Sequence, residues 1–268
     1  MQTIRKLPTS RTQSSYRILY LLVACIYLIG LIEAQLATVL IGPVTGFLFF
    51  AGLLLLLILH AAREADSQLT GLLVGIACVV VIRIASFSVP PESFPPTLWL
   101  FLMSACLLSG VVLLQRTINL SAWDIGLTFK RPLIQIGVAL SGVLIGVIQF
   151  VILDTGQVVT TASLTELSVA GFVVLVSQSF LDELLFRGIL QHSSSLVVGS
   201  WSGFYVALLY TTLHIGYGSP LNLAFILTVA LYFGLVRGLT GSIVGIIVAH
   251  VLANTALFAL LANGLLSG

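Results

Sequence analysis

Residues 43–62, PVTGFLFFAGLLLLLILHAA, decide the fold class of this 268-residue chain. The segment contains no Asp, Glu, Lys or Arg. A helix needs about 20 mainly apolar residues to cross the hydrocarbon core of a bilayer. A strand of a membrane barrel would instead alternate polar and apolar residues. The segment therefore predicts a transmembrane α-helix.

Eight further segments are similarly apolar: 17–37, 69–89, 97–115, 133–153, 168–191, 200–217, 221–238 and 241–262. The whole chain is 59% hydrophobic and only 7% charged, whereas soluble domains carry about 25% charged residues. We predict an all-α integral membrane protein, a polytopic bundle of about eight to nine spans. The net charge of +2 without a basic stripe predicts no nucleic-acid partner.

The positions of lysine and arginine predict the orientation of the bundle. With nine spans and a cytoplasmic N-terminus, the inner segments collect Arg5, Lys6, Arg11, Arg17, Arg63, Arg116, Lys130, Arg131 and Arg237. The outer loops contain acids instead, namely Glu92, Asp154 and Glu166. We therefore expect a plasma membrane protein of the prokaryotic type with a cytoplasmic N-terminus and an uncleaved first span.

The distribution of polar motifs divides the chain in two. Residues 1–132 are expected to form N-terminal transmembrane helices without a recognisable motif, and residues 133–268 carry all the clusters described below. We expect one integrated bundle. Glycine pairs at four-residue spacing (Gly71/Gly75, Gly142/Gly146 and Gly241/Gly245) would let helices approach closely, although ordinary glycine frequency explains any one pair equally well.

Three polar clusters interrupt the apolar runs of the second part: Asp182-Glu183 with Arg187, then His214, then His250 with Asn254. An ionisable side chain at bilayer depth costs roughly 2.5 to 3.5 kcal/mol on insertion scales. Such residues tend to face a polar cavity and to pair with one another. The clusters therefore indicate either a hydrolytic centre or a structural network.

The first cluster contains two carboxylates with different surroundings. Glu183 and Arg187 are four residues apart on one helix face, so we expect them to pair and thereby lower the cost of burial. Asp182 points about 100° away and has no partner in its own helix, which leaves it free for chemistry. The alternative is a buried ion pair that only fixes helix packing.

The second and third clusters supply histidines and an amide. Tyr210 lies one turn before His214, and His250 shares a face with Asn254. Two donors directed at one point are what a developing oxyanion requires. The same side chains could coordinate a metal or stabilise helix packing.

Taken in order, the three motifs resemble those of a known family. They read Asp182-Glu183-x-x-x-Arg187-Gly188, Tyr210-x-x-x-His214 and His250-x-x-x-Asn254. This pattern is similar to the CAAX protease and bacteriocin-processing family of intramembrane endopeptidases, the Rce1-like or abortive-infection group. The resemblance covers roughly residues 168–260, so residues 133–268 are expected to form the protease core.

The resemblance implies a role for each motif residue. Asp182 and His214 would activate a water molecule, and His250 and Asn254 would stabilise the oxyanion. Glu183 would belong to the same catalytic group, with Arg187 and Tyr210 as structural support. Some descriptions of the family instead invoke a divalent ion; zinc would suit these residue types, with His214, His250 and Glu183 as ligands.

The chain departs from the family at the first acid, which is usually Glu and here is Asp182. The loss of one methylene moves a carboxylate by about 1.5 Å. Mispositioning on the order of 1 Å can cost roughly 10²-fold in rate. Either the backbone compensates for the shorter side chain, or activity is weak or absent.

Two functional hypotheses follow. The first is an intramembrane endopeptidase that acts on a peptide or a lipid-modified protein beside membrane lipid. The second is a weak or inactive family member that serves as a structural subunit or assembly factor of a larger membrane complex. A transporter would suit nine spans and charges at the midplane, but the sequence lacks paired halves.

Overall fold

The computed structural model describes residues 10–88, 96–153, 169–216 and 219–266, and every regular element in these ranges is helical. The elements are α1 (Ser10–Leu40), α2 (Pro43–Arg63), α3 (Ser67–Ser88), α4 (Pro96–Thr117), α5 (Pro132–Ile152), α6 (Val169–Glu183), a π-helical turn (Leu184–Leu190), α7 (Gln191–Val198), a 3₁₀ turn (Gly199–Trp201), α8 (Ser202–Thr212), α9 (Pro220–Thr240) and α10 (Val244–Leu266). The all-α prediction is confirmed. Glu92, Asp154 and Glu166, the predicted acids of the outer loops, lie outside the described residues.

Five helices of the described ranges are long and apolar enough to cross a membrane: Ile18–Leu40, Pro43–Arg63, Ser67–Ser86, Pro132–Ile152 and Pro220–Thr240. Two shorter apolar helices, Leu107–Arg116 and Val244–Leu260, accompany them. Each of the nine predicted spans overlaps a helix, so the predicted span number holds approximately. The chain is an integral membrane protein built as a helix bundle.

Two predicted spans differ from the structure in ways that affect the motifs. The sixth, predicted as one helix over 168–191, changes from α6 to a π-helical turn directly after Glu183. The seventh, predicted to reach residue 217, ends as α8 at Thr212, with tighter i→i−3 hydrogen bonds to Tyr210 and Thr211. Hydropathy could not show either change, because the apolar pattern does not report how many residues each turn contains.

The hydrophobic core joins the two parts of the chain. Leu31 of α1, Leu57 of α2 and Ile76 of α3 are fully buried in one cluster with Leu185 of the π-helical turn and Leu209 of α8. These residues come from both sides of the boundary predicted at residue 132. The motif-free helices therefore pack directly against the elements that carry the first and second motifs.

Helices α5 and α10 approach each other through glycine. A Cβ atom on Gly142 would collide with the backbone of Ala249, and one on Gly146 would collide with the Ala253 carbonyl oxygen. Only a residue without a side chain permits this contact. The predicted role of the Gly142/Gly146 pair is thus confirmed. By contrast, Gly241 precedes α10 and terminates α9 with a φ of 69°, so the pair Gly241/Gly245 does not lie on one helix.

We expect Gly142→Ala to lower the stability of the bundle by about 1 to 3 kcal/mol, because overpacking forces two backbones apart. Gly137→Ala on the same helix is the matched control, since no atom lies within 4 Å of a Cβ at that position. The measurement is the thermal unfolding midpoint of both variants in lipid nanodiscs. Equal midpoints for the two variants would contradict the close contact.

The polar connection between α4 and α5 is fixed to the motif region by Arg237. Its Nη2 donates to the Asp124 carbonyl oxygen at 2.6 Å, and its Nε donates to the Arg187 carbonyl oxygen at 3.2 Å. Ser242, just before α10, donates to the Thr128 carbonyl oxygen at 2.5 Å. The α4–α5 connection is thereby linked both to the π-helical turn, through Arg237, and to the residues just before α10, through Ser242.

Candidate active site

A cavity of about 220 Å³ lies between α5, the junction of α6 with the π-helical turn, the end of α8, α9 and α10. Every site residue predicted from the sequence lines it: Asp182, Glu183, Arg187, Tyr210, His214, His250 and Asn254. The remaining lining residues are Ile145, Gln149, Phe225, Ile226, Val229, Phe233 and Ala253. The three motifs, which are up to 72 residues apart in sequence, therefore converge on one space.

The backbone at the first motif is irregular. The π-helical turn begins directly after Glu183, and all seven of its residues from Leu184 to Leu190 are buried. A Cβ atom on Gly188 would lie 3.2 Å from the Ile125 carbonyl oxygen, so the turn packs closely against that residue. A wider turn redirects the side chains that follow it, and π-helical segments are frequent at functional sites.

Glu183, the last residue of α6, and Arg187 of the π-helical turn form the predicted pair. Arg187 Nη1 lies 3.3 Å from Glu183 Oε1, and the side chains are 1% and 0% exposed. The guanidinium also stacks 4.7 Å from the centre of the Tyr210 ring and 5.5 Å from that of the Phe233 ring. Its Nη2 donates to the Ala230 carbonyl oxygen at 3.4 Å. Arg187 thus holds α8, α9 and the π-helical turn together.

Glu183 also reaches the third motif. His250 Nδ1 donates a hydrogen bond to Glu183 Oε1 at 2.8 Å. The second carboxylate oxygen, Oε2, is buried and has no hydrogen-bond partner among the residues that the structure describes. An unpaired carboxylate oxygen is costly to bury, and this one belongs to a residue that lines the cavity. Glu183 therefore does more than neutralise Arg187.

The hydrogen bond of His214 fixes the position of its proton. Nδ1 lies 3.0 Å from the Tyr210 carbonyl oxygen, which can only accept. The proton of the neutral ring is therefore on Nδ1, and the lone pair is on Nε2. The Tyr210 ring lies 4.8 Å from the imidazole, as their spacing predicts. However, His214 follows the end of α8 and is not inside a transmembrane helix.

The two remaining motif residues, Asn254 and Asp182, each have a side-chain hydrogen-bond partner on α6. Asn254 Nδ2 donates to Ser179 Oγ at 3.3 Å, which leaves its second N–H and its carbonyl oxygen for the cavity. Asp182 has Gln178, one turn earlier, as a side-chain hydrogen-bond partner. This contact corrects the prediction that no group of its own helix contacts Asp182. An i−4 glutamine on a regular helix could have been recognised from the sequence.

Gln149 is a cavity residue that sequence reasoning missed. It lies on α5, outside all three motifs, and shares a helix face with Gly142 and Gly146. These glycines bring α5 against α10, and Gln149 lines the same cavity as Ala253 and Asn254 of α10. The sequence did contain a signal for Gln149: it is a polar residue three positions after Gly146, on the helix face that the glycine pair predicts to be packed.

The described side chains do not form an evident metal centre. No group of three or more His, Cys, Asp or Glu residues in those ranges lies close enough to hold an ion. Of the expected ligand set, Glu183 Oε1 is already bonded to Arg187 and His250. The expected zinc site stays a prediction, and the mechanism that we propose uses the protein side chains alone.

Comparison with known proteins agrees with the motif analysis. Residues 164–256 match the model of the family described as type II CAAX prenyl endopeptidase, Rce1-like. Comparisons with curated proteins and with solved structures give no match. The matched segment contains all three motifs and runs from the end of the α5–α6 connection into α10. Residues 164–256 are therefore similar to the Rce1-like family, in agreement with the resemblance that the motifs indicate.

Proposed function

We propose that this protein is an intramembrane endopeptidase that hydrolyses a peptide bond of a membrane-associated substrate. The convergence of Asp182, His214, His250 and Asn254 on one cavity is the observation that carries the proposal. The family match supports the same class of reaction. The positions of the lysines and arginines support a cytoplasmic N-terminus in a plasma membrane of the prokaryotic type.

Asp182 and His214 are the proposed general bases. The Nε2 lone pair of His214 is available because Nδ1 is bonded to the Tyr210 carbonyl oxygen. In the proposed step, a water oxygen attacks the peptide carbonyl carbon while these two groups take up its proton. The tetrahedral intermediate then breaks its carbon–nitrogen bond, and the same proton passes to the leaving amine.

His250 and Asn254 are the proposed oxyanion donors. With Nδ1–H bonded to Glu183 Oε1, the imidazolium form of His250 retains Nε2–H for the oxyanion. The Glu183 carboxylate stabilises that charged form through a charge-assisted hydrogen bond. Asn254 adds the amide hydrogen that Ser179 does not use. Donors fixed before the reaction stabilise the developing charge most effectively.

The apolar part of the cavity lining suits a substrate that comes from the membrane. Ile145, Phe225, Ile226 and Val229 supply apolar surface beside the polar centre. An extended peptide, or the lipid attached to one, would bury its apolar part there. We therefore propose a peptide or lipid-modified protein as the substrate class.

The direct test is peptide release by the purified protein reconstituted in liposomes. Two peptides of the same sequence are compared, one ending in a prenylated-cysteine motif and one without the lipid, each with and without a chelator. We expect release detected by mass spectrometry, faster for the lipidated peptide and unchanged by the chelator. No release from either peptide would contradict the proposal and favour the non-enzymatic alternative, a structural subunit.

Gln149 is the proposed contact for the substrate backbone, because one amide can pair with both the N–H and the C=O of an extended peptide. We expect Gln149→Leu to raise KM roughly three- to tenfold, which corresponds to the loss of one hydrogen bond. The kcat value should change less than KM. The measurement is the concentration dependence of peptide release.

A second glutamine on α5 is the matched control. Gln135 accepts a hydrogen bond from the Gly245 backbone N–H at 2.7 Å and does not line the cavity. Gln135→Leu should lower the unfolding midpoint and leave KM at the parental value. A Gln149→Leu variant with parental KM would rule out the substrate contact.

A further inference from the structure

We infer that Gln35, in the motif-free part of the chain, is a positioning residue for His214. This polar side chain is only 1% exposed and lies near the C-terminal end of the candidate membrane span Ile18–Leu40. Gln35 Nε2 donates to the Ile215 carbonyl oxygen at 2.9 Å. Ile215 directly follows His214, so α1 holds the backbone adjacent to the proposed base. The inference rests on the proposed function.

The segment that carries His214 requires such a contact. It lies beyond the end of α8, where the backbone of the described residues continues the turn with short i→i−3 bonds at Leu213, His214 and Ile215. A turn of this kind is less strongly held than a helix interior. The position of the imidazole therefore depends on contacts from neighbouring helices.

Helix α1 makes two such contacts from one face. Besides the hydrogen bond of Gln35, Val39 packs against Gly216, where a Cβ would overlap the valine side chain. Gly216 has a φ of 92°, which a residue with a side chain rarely adopts. Gln35 and Val39 are four residues apart and share a helix face. Together they hold the turn at Ile215 and at Gly216.

A third helix orients Gln35 itself. Arg83 Nε of α3 donates to Gln35 Oε1 at 3.0 Å. With its oxygen accepting from Arg83, the amide must direct its N–H₂ group toward the Ile215 carbonyl oxygen. The motif-free helices α1 and α3 therefore set the position of a motif residue about 180 positions away along the chain.

Two variants separate the two hydrogen bonds. Gln35→Met is similar in length and makes neither bond, whereas Gln35→Glu keeps an acceptor for Arg83 but has no N–H for Ile215. We expect both variants to lower kcat roughly tenfold or more, since misplacing a catalytic group by about 1 Å has effects of this size. KM should change less than twofold, because Gln35 does not line the cavity.

Tyr205→Phe is the matched control. The Tyr205 hydroxyl donates to the Ala24 carbonyl oxygen at 2.9 Å, so it also joins α8 to α1 through one buried hydrogen bond. It lies away from the turn that carries His214. We expect this variant to lose stability to a similar degree as the Gln35 variants while keeping the parental kcat.

Hydrogen–deuterium exchange gives a readout that does not depend on activity. In nanodiscs, the amides of residues 213–216 should exchange faster in both Gln35 variants than in the parent and in Tyr205→Phe, with residues 202–212 unchanged. Parental exchange and parental kcat in Gln35→Met, or a parental kcat in Gln35→Glu, would overturn the inference. Faster exchange in a protein that releases no peptide would uphold the contact and overturn the proposed function.

Discussion

Asp182→Asn is expected to reduce peptide release by roughly 10²- to 10⁴-fold, the usual contribution of a positioned general base. The substitution preserves the shape of the side chain and removes its ability to take a proton from water. Because the amide fills the same space in the cavity wall, substrate binding should be retained. The measurement is kcat from initial rates, with KM as evidence that the substrate still binds.

Asp182→Glu is the control that keeps the acid. It restores the residue that the family usually has and extends the carboxylate by about 1.5 Å. Its activity should exceed that of Asp182→Asn, because a displaced base still accepts a proton. If Asp182→Asn released peptide at the parental rate, Asp182 would not be the base, and His214 alone would have to activate the water.

Arg187→Met is expected to lower the free energy of unfolding by about 3 to 5 kcal/mol, the effect of removing one partner of a buried ion pair. The Glu183 carboxylate is fully buried and its Oε2 already lacks a partner among the described residues. The hydrogen bond from His250 to Glu183 Oε1 would remain, but the ion pair would be lost. The variant also removes the cation stacked between Tyr210 and Phe233. The measurement is denaturant or thermal unfolding in nanodiscs.

The double variant Glu183→Gln with Arg187→Met distinguishes charge from packing. Removal of both charges often leaves stability near that of the parent, so the double variant should be more stable than Arg187→Met alone. It should not regain activity, because the hydrogen bond to His250 loses its carboxylate. An Arg187→Met protein as stable as the parent would show that the pair contributes little to the fold.

The position of Asp182 bears on the question that its departure from Glu raises. The departure from Glu shortens the acid by one methylene, and the helix changes its turn width directly after Glu183. Asp182 nevertheless lines the cavity with the other motif residues. A shorter acid at this position is therefore compatible with the cavity lining, and the comparison of Asp182→Glu with the parent measures what the lost methylene costs.

The sequence alone determined the class of the protein and the identity of the motif residues. Runs such as 43–62 must be helical in a bilayer, because every backbone N–H and C=O group needs a partner within its own segment. Ionisable residues in such runs are too costly to be scattered. Local spacing also predicted the contacts Glu183–Arg187 and Tyr210–His214, since partners four residues apart are neighbours on one helix.

Only the tertiary structure decided which helices bring these residues together. Glu183 meets His250, Gln149 joins the cavity wall and Gln35 holds the turn after His214 through contacts between distant segments. Such contacts depend on how closely two helices pack, as α5 and α10 do at their glycines. Helix periodicity places a side chain on a face, but the packing of neighbouring helices determines what that face meets.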